Sequence, residues 1–298
     1  MRRMIGENDI NPPGIALSRT HAMAAAILLI ASFAFLYRSV IFKLVNDWGV
    51  DENYSHGFFI LPIALYLVWE RRGRFVVTQP RSSLWGLIVI LASLATLLAG
   101  MLGSELFLTR VSILGTIAGI VLFVYGWQHT RVLAFPILFL LLMIPIPAII
   151  FNQIAFPLQL LASRFGELVL SALGIPVLRE GNVIQLANAS LEVAEACSGI
   201  RSLISLLTLG IVYGYFVDSR IWARFLLALS TIPVAIMANG LRVAGTGVAA
   251  HYFGAQAAQG FVHTFSGWLV FLVAFLMLLV MQRLMKWLSP VTGSVRGA

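Results

Sequence analysis

The sequence predicts an all-α polytopic membrane protein with about eight transmembrane helices. Hydrophobic residues make up 60% of its 298 positions and charged residues only 11%, a composition unlike that of soluble domains. Uncharged apolar stretches recur along the chain, and most of them are long enough to cross a bilayer with modest tilt. We therefore treat residues 1–298 as a single integral membrane domain.

Eight uncharged stretches are the candidate spans, with cytoplasmic tails expected at residues 1–21 and 283–298. The second span is the least regular, because Pro62 interrupts it, and a re-entrant segment is the alternative there. Pro145 and Pro147 predict a break or bend near the outer end of the fifth span. The predicted spans are residues 22–37, 54–69, 84–103, 111–127, 132–151, 202–217, 225–241 and 264–282.

Lysine and arginine residues divide unevenly between the segments that connect these spans. The positive-inside rule then favours both termini in the cytoplasm. The basic residues form short clusters between apolar runs rather than one amphipathic face, so no nucleic-acid partner is predicted. Thirteen of the 20 fall on the inner side, namely Arg2, Arg3, Arg19, Arg71, Arg72, Arg74, Arg81, Arg131, Arg220, Arg224, Arg283, Lys286 and Arg296.

The longest connection, residues 152–201, is predicted to be an extracytoplasmic loop. Its first part, residues 153–173, alternates apolar and polar residues at helical spacing, which is typical of an interfacial helix lying in the headgroup layer. Its second part, residues 177–193, mixes β-branched residues with Gly181 and Asn182. This pattern predicts a short extended or hairpin element that leads into the sixth span.

The only cysteine of the chain, Cys197, lies just before the sixth span. Ser198 and Gly199 favour a helix start there, and a helix N-terminus stabilises a thiolate. If the helix begins one turn earlier, Arg201 shares a face with the thiol. A small buried hydrophobe is the alternative role for a lone cysteine. Charges at the edge of a membrane segment, here Glu195 and Arg201, favour function instead.

Two further residues are predicted at the same outer level as Cys197. Arg242 follows the seventh span, and His263 opens the eighth. A cysteine, a histidine and an arginine on three helices at one depth provide a nucleophile, a proton carrier and an anion stabiliser. Taken alone, His263 could merely solvate a helix end, and Arg242 could merely anchor its helix by extending to the interface.

A second polar cluster, Tyr54-Ser55-His56-Gly57, opens the second span. It could contact a substrate or support the site by hydrogen bonds, whereas an interfacial tyrosine beside a helix start is the alternative. No metal site is predicted, because the remaining histidines have no Cys, His or carboxylate partners at ligand spacing. No nucleotide-binding fingerprint is present either, and no cofactor is predicted.

The stretch Glu195-Ala196-Cys197-Ser198-Gly199-Ile200-Arg201-Ser202-Leu203 resembles the signature of the exosortase/archaeosortase family of multispanning membrane transpeptidases. Tyr54-Ser55-His56-Gly57, Pro145-Ile146-Pro147, Asn239-Gly240-Leu241-Arg242-Val243 and His263-Thr264-Phe265-Ser266-Gly267 resemble family segments in the same order, from about residue 50 to 270. The resemblance implies that the catalytic residues are Cys197, Arg242 and His263. The residues expected to bind substrate or support these three are Arg201, Glu195, Tyr54, His56 and Asn239.

The same resemblance implies a cysteine peptidase or transpeptidase of the bacterial inner membrane, with its site facing the periplasm. Its partners would be membrane lipids and membrane-anchored proteins that end in a sorting signal: a Pro-Glu-Pro-like motif, a transmembrane helix and a basic tail. Cleavage would proceed through a thioester on Cys197. Family members usually occur in Gram-negative bacteria that make exopolysaccharide.

Two non-enzymatic interpretations remain open from the sequence. A transporter or channel subunit would be expected to carry charges at mid-membrane depth, and none of the predicted spans has one near its centre. A non-enzymatic component of exopolysaccharide assembly or export would need no reactive thiol. Labelling with a membrane-impermeant thiol reagent separates these readings from the enzyme, since only the enzyme requires a reactive Cys197.

Overall fold

The computed structural model describes residues 19–187, 189–193, 200–254 and 261–288. The predicted fold class, an all-α polytopic membrane protein, is confirmed for this part of the chain. A short 3-10 helix and a small sheet accompany the α-helices. In chain order the helices are α1 (Arg19–Val50), α2 (Gly57–Glu70), α3 (Arg72–Val77), α4 (Trp85–Leu102), α5 (Leu106–Val124), α6 (Trp127–Phe139), α7 (Ala148–Ala172), α8 (Ile200–Val217), α9 (Ile221–Phe253) and α10 (Phe261–Leu288).

Within the described ranges, six helices are long and apolar enough to cross a membrane: α1, α4, α5, α7, α8 and α9. Two apolar segments, Gly57–Glu70 and Trp127–Met143, are shorter. Each of the eight predicted spans overlaps a helix, although the boundaries differ. The number of crossings and the orientation in the membrane stay predictions.

The chain divides into two compact units, residues 1–43 and 44–298. In the first unit, α1 continues through Arg38 and Lys43, so the predicted end of the first span at residue 37 is wrong as a helix end. The Arg38 guanidinium lies 4.8 Å from the ring centroid of Phe35. Such a cation–π contact stabilises the charged side chain on an otherwise apolar helix. The helix therefore continues past this charge.

In the second unit, α4 and α5 form an antiparallel hairpin with a glycine at its closest approach. A Cβ atom on Gly86 would lie 2.2 Å from the backbone nitrogen of Phe123. Glycine has no Cβ, and only glycine permits this approach. Small residues are common where membrane helices pack closely, for the same reason. Near this contact, the N–H of Arg81 donates to the carbonyl of Tyr125 at 3.1 Å, which joins the segment before α4 to the end of α5.

The fifth predicted span, residues 132–151, is not one helix. Helix α6 passes into the 3-10 helix Leu140–Met143, and α7 begins only at Ala148. Pro145 and Pro147 occupy the break, because proline lacks an N–H and disfavours helix in the residue before it. The predicted break is therefore confirmed, but it divides the span instead of bending one end of it.

The predicted end of the seventh span at residue 241 is wrong as a helix end, because α9 continues to Phe253 and includes Arg242. The helix ends only at Gly254, whose φ of +84° favours glycine. A long arginine side chain can reach polar surroundings from inside a helix, so it need not end one. At about 1.5 Å per residue, α9 exceeds the roughly 30 Å hydrocarbon core of a bilayer.

Helices α8 and α9 pack antiparallel to each other. A Cβ atom on Gly210 would lie 2.6 Å from Cγ2 of Thr231, and one on Gly214 would lie 3.4 Å from Cα of Arg224. Moving from Gly210 to Gly214 on α8 thus corresponds to moving back from Thr231 to Arg224 on α9. The start of α8 therefore lies toward the C-terminal half of α9, which carries Arg242.

Arginine side chains join several helices at one end of the second unit, named here the basic end. The Arg71 guanidinium donates to the Tyr215 hydroxyl from Nε and Nη2, at 3.1 and 3.0 Å, and to the Val132 carbonyl at 2.6 Å. The Arg224 guanidinium lies 4.8 Å from the Tyr215 ring centroid. These contacts join the ends of α2, α6, α8 and α9. The opposite end, which carries Arg201, is named the site end.

Both ends of α7 lie at the site end. The Phe151 ring is 6.3 Å from that of Tyr54, in the turn whose neighbouring residues contact Arg201. Near the other end of α7, Leu170 packs against Gly247 of α9. The predicted interfacial placement of α7 stays a prediction, since the length and apolarity of this helix also suit a crossing. Its depth in the membrane stays a prediction.

Three short strands follow α7 and form an antiparallel sheet with β2 in the centre. The predicted extended element is therefore confirmed, and Gly181, with φ of +64°, provides the turn between the first two strands. One face of the sheet packs against α7 and α9 in a cluster that includes Leu170, Ile184 and Val243. The strands are β1 (Val177–Glu180), β2 (Val183–Leu186) and β3 (Ala189–Glu192).

Candidate active site

Cys197 and Glu195 lie outside the described residues, within the segment 194–199. The elements on either side are described: β3 ends at Glu192, and α8 begins at Ile200. In sequence, the predicted nucleophile therefore connects the sheet to the first turn of α8. The role of Cys197 stays a prediction. The structure bears on that role through the elements on either side, β3 and α8.

Arg242 lies in the C-terminal half of α9. Its side chain is half-buried, and its backbone carbonyl accepts a hydrogen bond from Thr246 Oγ1 at 2.9 Å. Asn239, one turn earlier, is only 2% exposed and belongs to the buried side of α9. Both residues are thus carried by a helix that is packed on several sides, which is a rigid support for a polar group.

Helix α10 contacts α8 near the C-terminal ends of both helices, where the Tyr213 hydroxyl donates to Gln282 Oε1 at 3.3 Å. His263 is the third residue of α10, as its predicted position at the start of the eighth span requires. Its side chain lies outside the described atoms. The level of His263 relative to Cys197 and Arg242 stays a prediction.

Arg201, in the first turn of α8, forms a salt bridge with Glu52. Its Nε also lies 3.5 Å from Oδ1 of Asn53. These contacts attach the turn at residues 51–56, which precedes α2, to the start of α8. The second predicted polar cluster is therefore brought to the site end together with Arg201, as the sequence suggested only indirectly.

Tyr54 is buried in this turn, with 6% of its surface exposed. Burial raises the pKa of its hydroxyl above the ordinary value, and the Asp51 carboxylate adds to the rise. A hydrogen bond from the backbone of Ile146 and the positive charge of Arg110 act in the opposite direction. Tyr54 therefore remains a neutral phenol at neutral pH, suited to hydrogen bonding rather than to carrying charge.

His56 is the last residue before α2. Its Nε2 lies 3.0 Å from the carbonyl oxygen of Leu142, so this nitrogen is the donor in that contact. Burial lowers the pKa of the imidazole below 6.5, and the carbonyls of Leu142 and Asn53 only partly oppose that effect. His56 is thus a neutral ring that ties the start of α2 to the 3-10 helix after α6, which is a supporting role.

A cavity of about 470 Å³ opens beside this turn at the site end. Sequence reasoning missed its central charged pair, the salt bridge between Arg110 and Asp47. Arg110 is 2% exposed, at the border of the predicted span 111–127, and an unexplained charge at that border was the available signal. The lining residues are Asp47, Asp51, Asn53, Tyr54, Ser104, Glu105, Leu106, Phe107, Arg110, Pro145, Ile146, Pro147, Ala148, Phe151 and Asn152.

No group of three or more His, Cys, Asp or Glu residues that could hold a metal ion occurs within the described part of the chain. The polar groups at the site end are arginines, amides and hydroxyls beside a few carboxylates.

The family model for transmembrane exosortases matches residues 48–280 of this chain. The match covers the turn before α2, the segment around Cys197, the Arg242 turn and the start of α10. The chain belongs to the transmembrane exosortase family. Comparison with curated proteins and comparison with solved structures gave no match.

Proposed function

We propose that this exosortase is a cysteine transpeptidase or peptidase that cleaves the C-terminal sorting signal of exported proteins. The observation that supports the proposal most directly is the match of the transmembrane exosortase family model to residues 48–280. Within that range, Cys197 lies three residues before the start of α8, Arg242 lies on α9, and His263 lies in the first turn of α10.

In the proposed first step, the Cys197 thiolate attacks the carbonyl carbon of the scissile peptide bond. Negative charge then develops on the carbonyl oxygen, and the Arg242 guanidinium stabilises it. His263 donates a proton to the leaving nitrogen as the C–N bond breaks. The products are a thioester between Cys197 and the substrate, and a free sorting tail with a new amine.

In the proposed second step, an acceptor attacks the thioester. His263, now neutral, removes a proton from the acceptor, which is an amine, a hydroxyl or water. The new bond forms at the acyl carbon, and the C–S bond breaks to return the Cys197 thiolate. An amine or hydroxyl acceptor makes the reaction a transpeptidation or acyl transfer, and water makes it a hydrolysis.

Arg201 has two candidate roles, activation of the thiol and anchoring of α8. Its salt bridge with Glu52 favours anchoring, because the nearby carboxylate offsets the positive charge that a thiolate would otherwise experience. We therefore assign Arg201 to holding the turn at residues 51–56 against the start of α8. Tyr54 and His56 then shape the wall of the site without taking part in bond making.

The proposed substrates are membrane-anchored proteins that carry a Pro-Glu-Pro-like motif, a transmembrane helix and a basic tail. The proposed location is the inner membrane, with the site end facing the periplasm. This orientation agrees with the uneven distribution of Lys and Arg, because Arg71, Arg131 and Arg224 all lie at the basic end.

The proposal is tested by expressing the full chain with a candidate sorting-signal protein and determining the new C-terminus of the product by mass spectrometry. Added hydroxylamine should capture the thioester as a hydroxamate on that C-terminus. Since Cys197 is the only cysteine, any acyl adduct on a thiol of this chain identifies the nucleophile. Normal processing by a stably expressed Cys197→Ala variant would instead support a non-enzymatic component of exopolysaccharide assembly.

A further inference from the structure

The small sheet at the site end has open edges that the proposed mechanism does not use. β2 is its central strand, and within the described residues neither β1 nor β3 has another strand on its outer side. An open edge presents backbone N–H and C=O groups that can pair with an added strand. The open edges of β1 and β3 have different neighbours in the fold.

The register of the sheet shows which groups of β3 face the open edge. The N–H of Val193 donates to the carbonyl of Asn182 at 2.9 Å, just past the end of the β2–β3 pairing. Hydrogen-bonded pairs alternate in an antiparallel ladder, so the next one joins Leu191 to Ile184. The odd-numbered residues of β3 therefore bond to β2.

The even-numbered residues, Ser190 and Glu192, direct their N–H and C=O groups away from β2. Both residues are exposed, in contrast to the buried Val193 that follows. The open edge of β3 thus offers two donors and two acceptors in a row. Four such groups match an extended peptide of about four residues.

Contacts with α7 and a contact within the sheet hold the sheet in place. Ser163 Oγ on α7 donates to the carbonyl of Gly181 at 3.0 Å, and Asn182 Nδ2 donates to the carbonyl of Val193 at 3.3 Å. The Arg179–Glu167 salt bridge, at 2.7 Å, ties β1 to α7. A strand edge held this firmly binds a peptide with little further ordering of its own residues.

The position of β3 points to its partner. Leu191 packs on the cluster that contains Val243, next to Arg242 on α9. In sequence, Glu192 is five positions before Cys197. β1, in contrast, follows α7 and is bound to it. An extended chain beside β3 would therefore lie along the strand that leads directly to the proposed nucleophile.

We infer that the open edge of β3 binds the extended segment of the substrate next to its scissile bond, as a fourth strand of the sheet. This inference rests on the proposed function and specifies how the substrate is held for it. Backbone pairing supplies position rather than sequence preference. It explains how one site can hold a motif within substrates of different sequence.

The spacing of the proposed Pro-Glu-Pro-like motif is compatible with such an edge. Prolines at alternate positions of an extended chain place both missing N–H groups on the same side. The N–H and C=O of the residue between them then face the other side. A Pro-x-Pro segment can thus pair with β3 through its central residue, whereas two adjacent prolines would remove a donor from each side.

The substrate-side test uses the wild-type full chain and synthetic copies of a candidate sorting tail. Single amides are replaced by esters, one position at a time, which removes one N–H donor in each copy. Loss of kcat/KM by roughly two- to tenfold at alternate positions is expected, with little change between them. A flat profile would overturn the inference while leaving the proposed function intact; absence of cleavage of the all-amide tail would contradict the proposed function itself.

The enzyme-side test is Ser190→Pro, which removes one edge donor without removing a bond to β2. The expected result is a similar fall in kcat/KM, mainly through a higher KM, with normal abundance. Gln185→Ala, on the same exposed face but in the central strand, is the control and should behave as wild type. An equal loss in Ser190→Ala would assign the effect to the side chain and overturn the inference. If Ser190→Pro fails to fold, the ester series decides.

Discussion

The guanidinium of Arg201 and the carboxylate of Glu52, 149 positions apart in the chain, form a salt bridge at the site end. Side-chain exposure is 38% for Arg201 and 75% for Glu52. An exposed pair of this kind contributes little to the free energy of unfolding, about 0.2–1 kcal/mol. Its importance is positional, because it holds the turn before α2 against the helix that follows Cys197.

Arg201→Gln and Glu52→Gln are expected to lower activity by similar factors, because either change releases the same turn. The pH at which activity rises should be the same in both variants and in the wild type. If Arg201 instead activated the thiol, the two variants would shift that pH in opposite directions. A pH–rate profile of both variants is the measurement. Partial recovery in the exchanged pair Arg201→Glu with Glu52→Arg would further support anchoring.

Substitutions of Cys197, Arg242 and His263 are expected to lower substrate processing by unequal amounts, and these losses should not add up when substitutions are combined. Cys197→Ala and Cys197→Ser should abolish processing, whereas His263→Ala and Arg242→Ala should each lower it on the order of 10²-fold or more. Arg242→Lys should restore little, because a point charge does not reproduce the planar guanidinium. Substrate cleavage in membranes is the measurement. Additive losses in the double variant would argue against a shared transition state.

His56 makes stability depend on pH in a predictable direction. Its folded-state pKa is lowered from 6.5, so the unfolded chain binds the proton more readily. Its contribution is fully present above about pH 6.5 and is lost as the pH falls through the lowered folded-state pKa. The midpoint of thermal unfolding should therefore fall on acidification, and less steeply in His56→Gln. Equal slopes in both proteins would refute the assignment.

Gly86→Ala should destabilise the α4–α5 hairpin by about 1–3 kcal/mol, because the added Cβ meets the backbone of Phe123. Gly73→Ala is the matched control, since a Cβ there meets nothing within 4 Å. Denaturant titration of both variants in detergent checks the difference. Comparable stability of the two variants would mean that the helices separate at low cost.

The distribution of charge gives a topology prediction. Reporter fusions after residues 75 and 222 should score as cytoplasmic, because both positions lie near the basic end, and a fusion at residue 185 should score as exported. An exported signal at residue 222 would contradict the predicted orientation. It would also separate the proposed site from the periplasm.

Much of the fold could be predicted from apolar runs, because each run must become a helix inside a bilayer. The boundaries were less predictable where charges occur within helices. Arg38 and Arg242 were expected to mark span ends, yet both helices continue, since a side chain can carry its charge to a polar region. A short extended or hairpin element was predicted from Gly181 and its neighbours, because turn chemistry is local, whereas the third strand of the sheet was not predicted.

The site was predictable only in part. The sequence placed Arg242 and His263 at one level through the positions of the apolar runs. It gave no means of pairing Arg201 with Glu52 or Arg110 with Asp47, because neither pair follows from local spacing. Such pairs depend on which helix ends become neighbours, and that is decided by packing across the whole second unit.

The contact between Arg71 and Tyr215 has a consequence for biogenesis. The two residues are 144 positions apart. Tyr215 also lies next to the ends of α2, α6 and α9. At synthesis rates of about 5–20 residues per second, Tyr215 emerges roughly 7–30 s after Arg71. During that interval the earlier helices are in the membrane without the side chain that joins them. Until α8 arrives, the Val132 carbonyl of α6 is a partner that Arg71 can already reach.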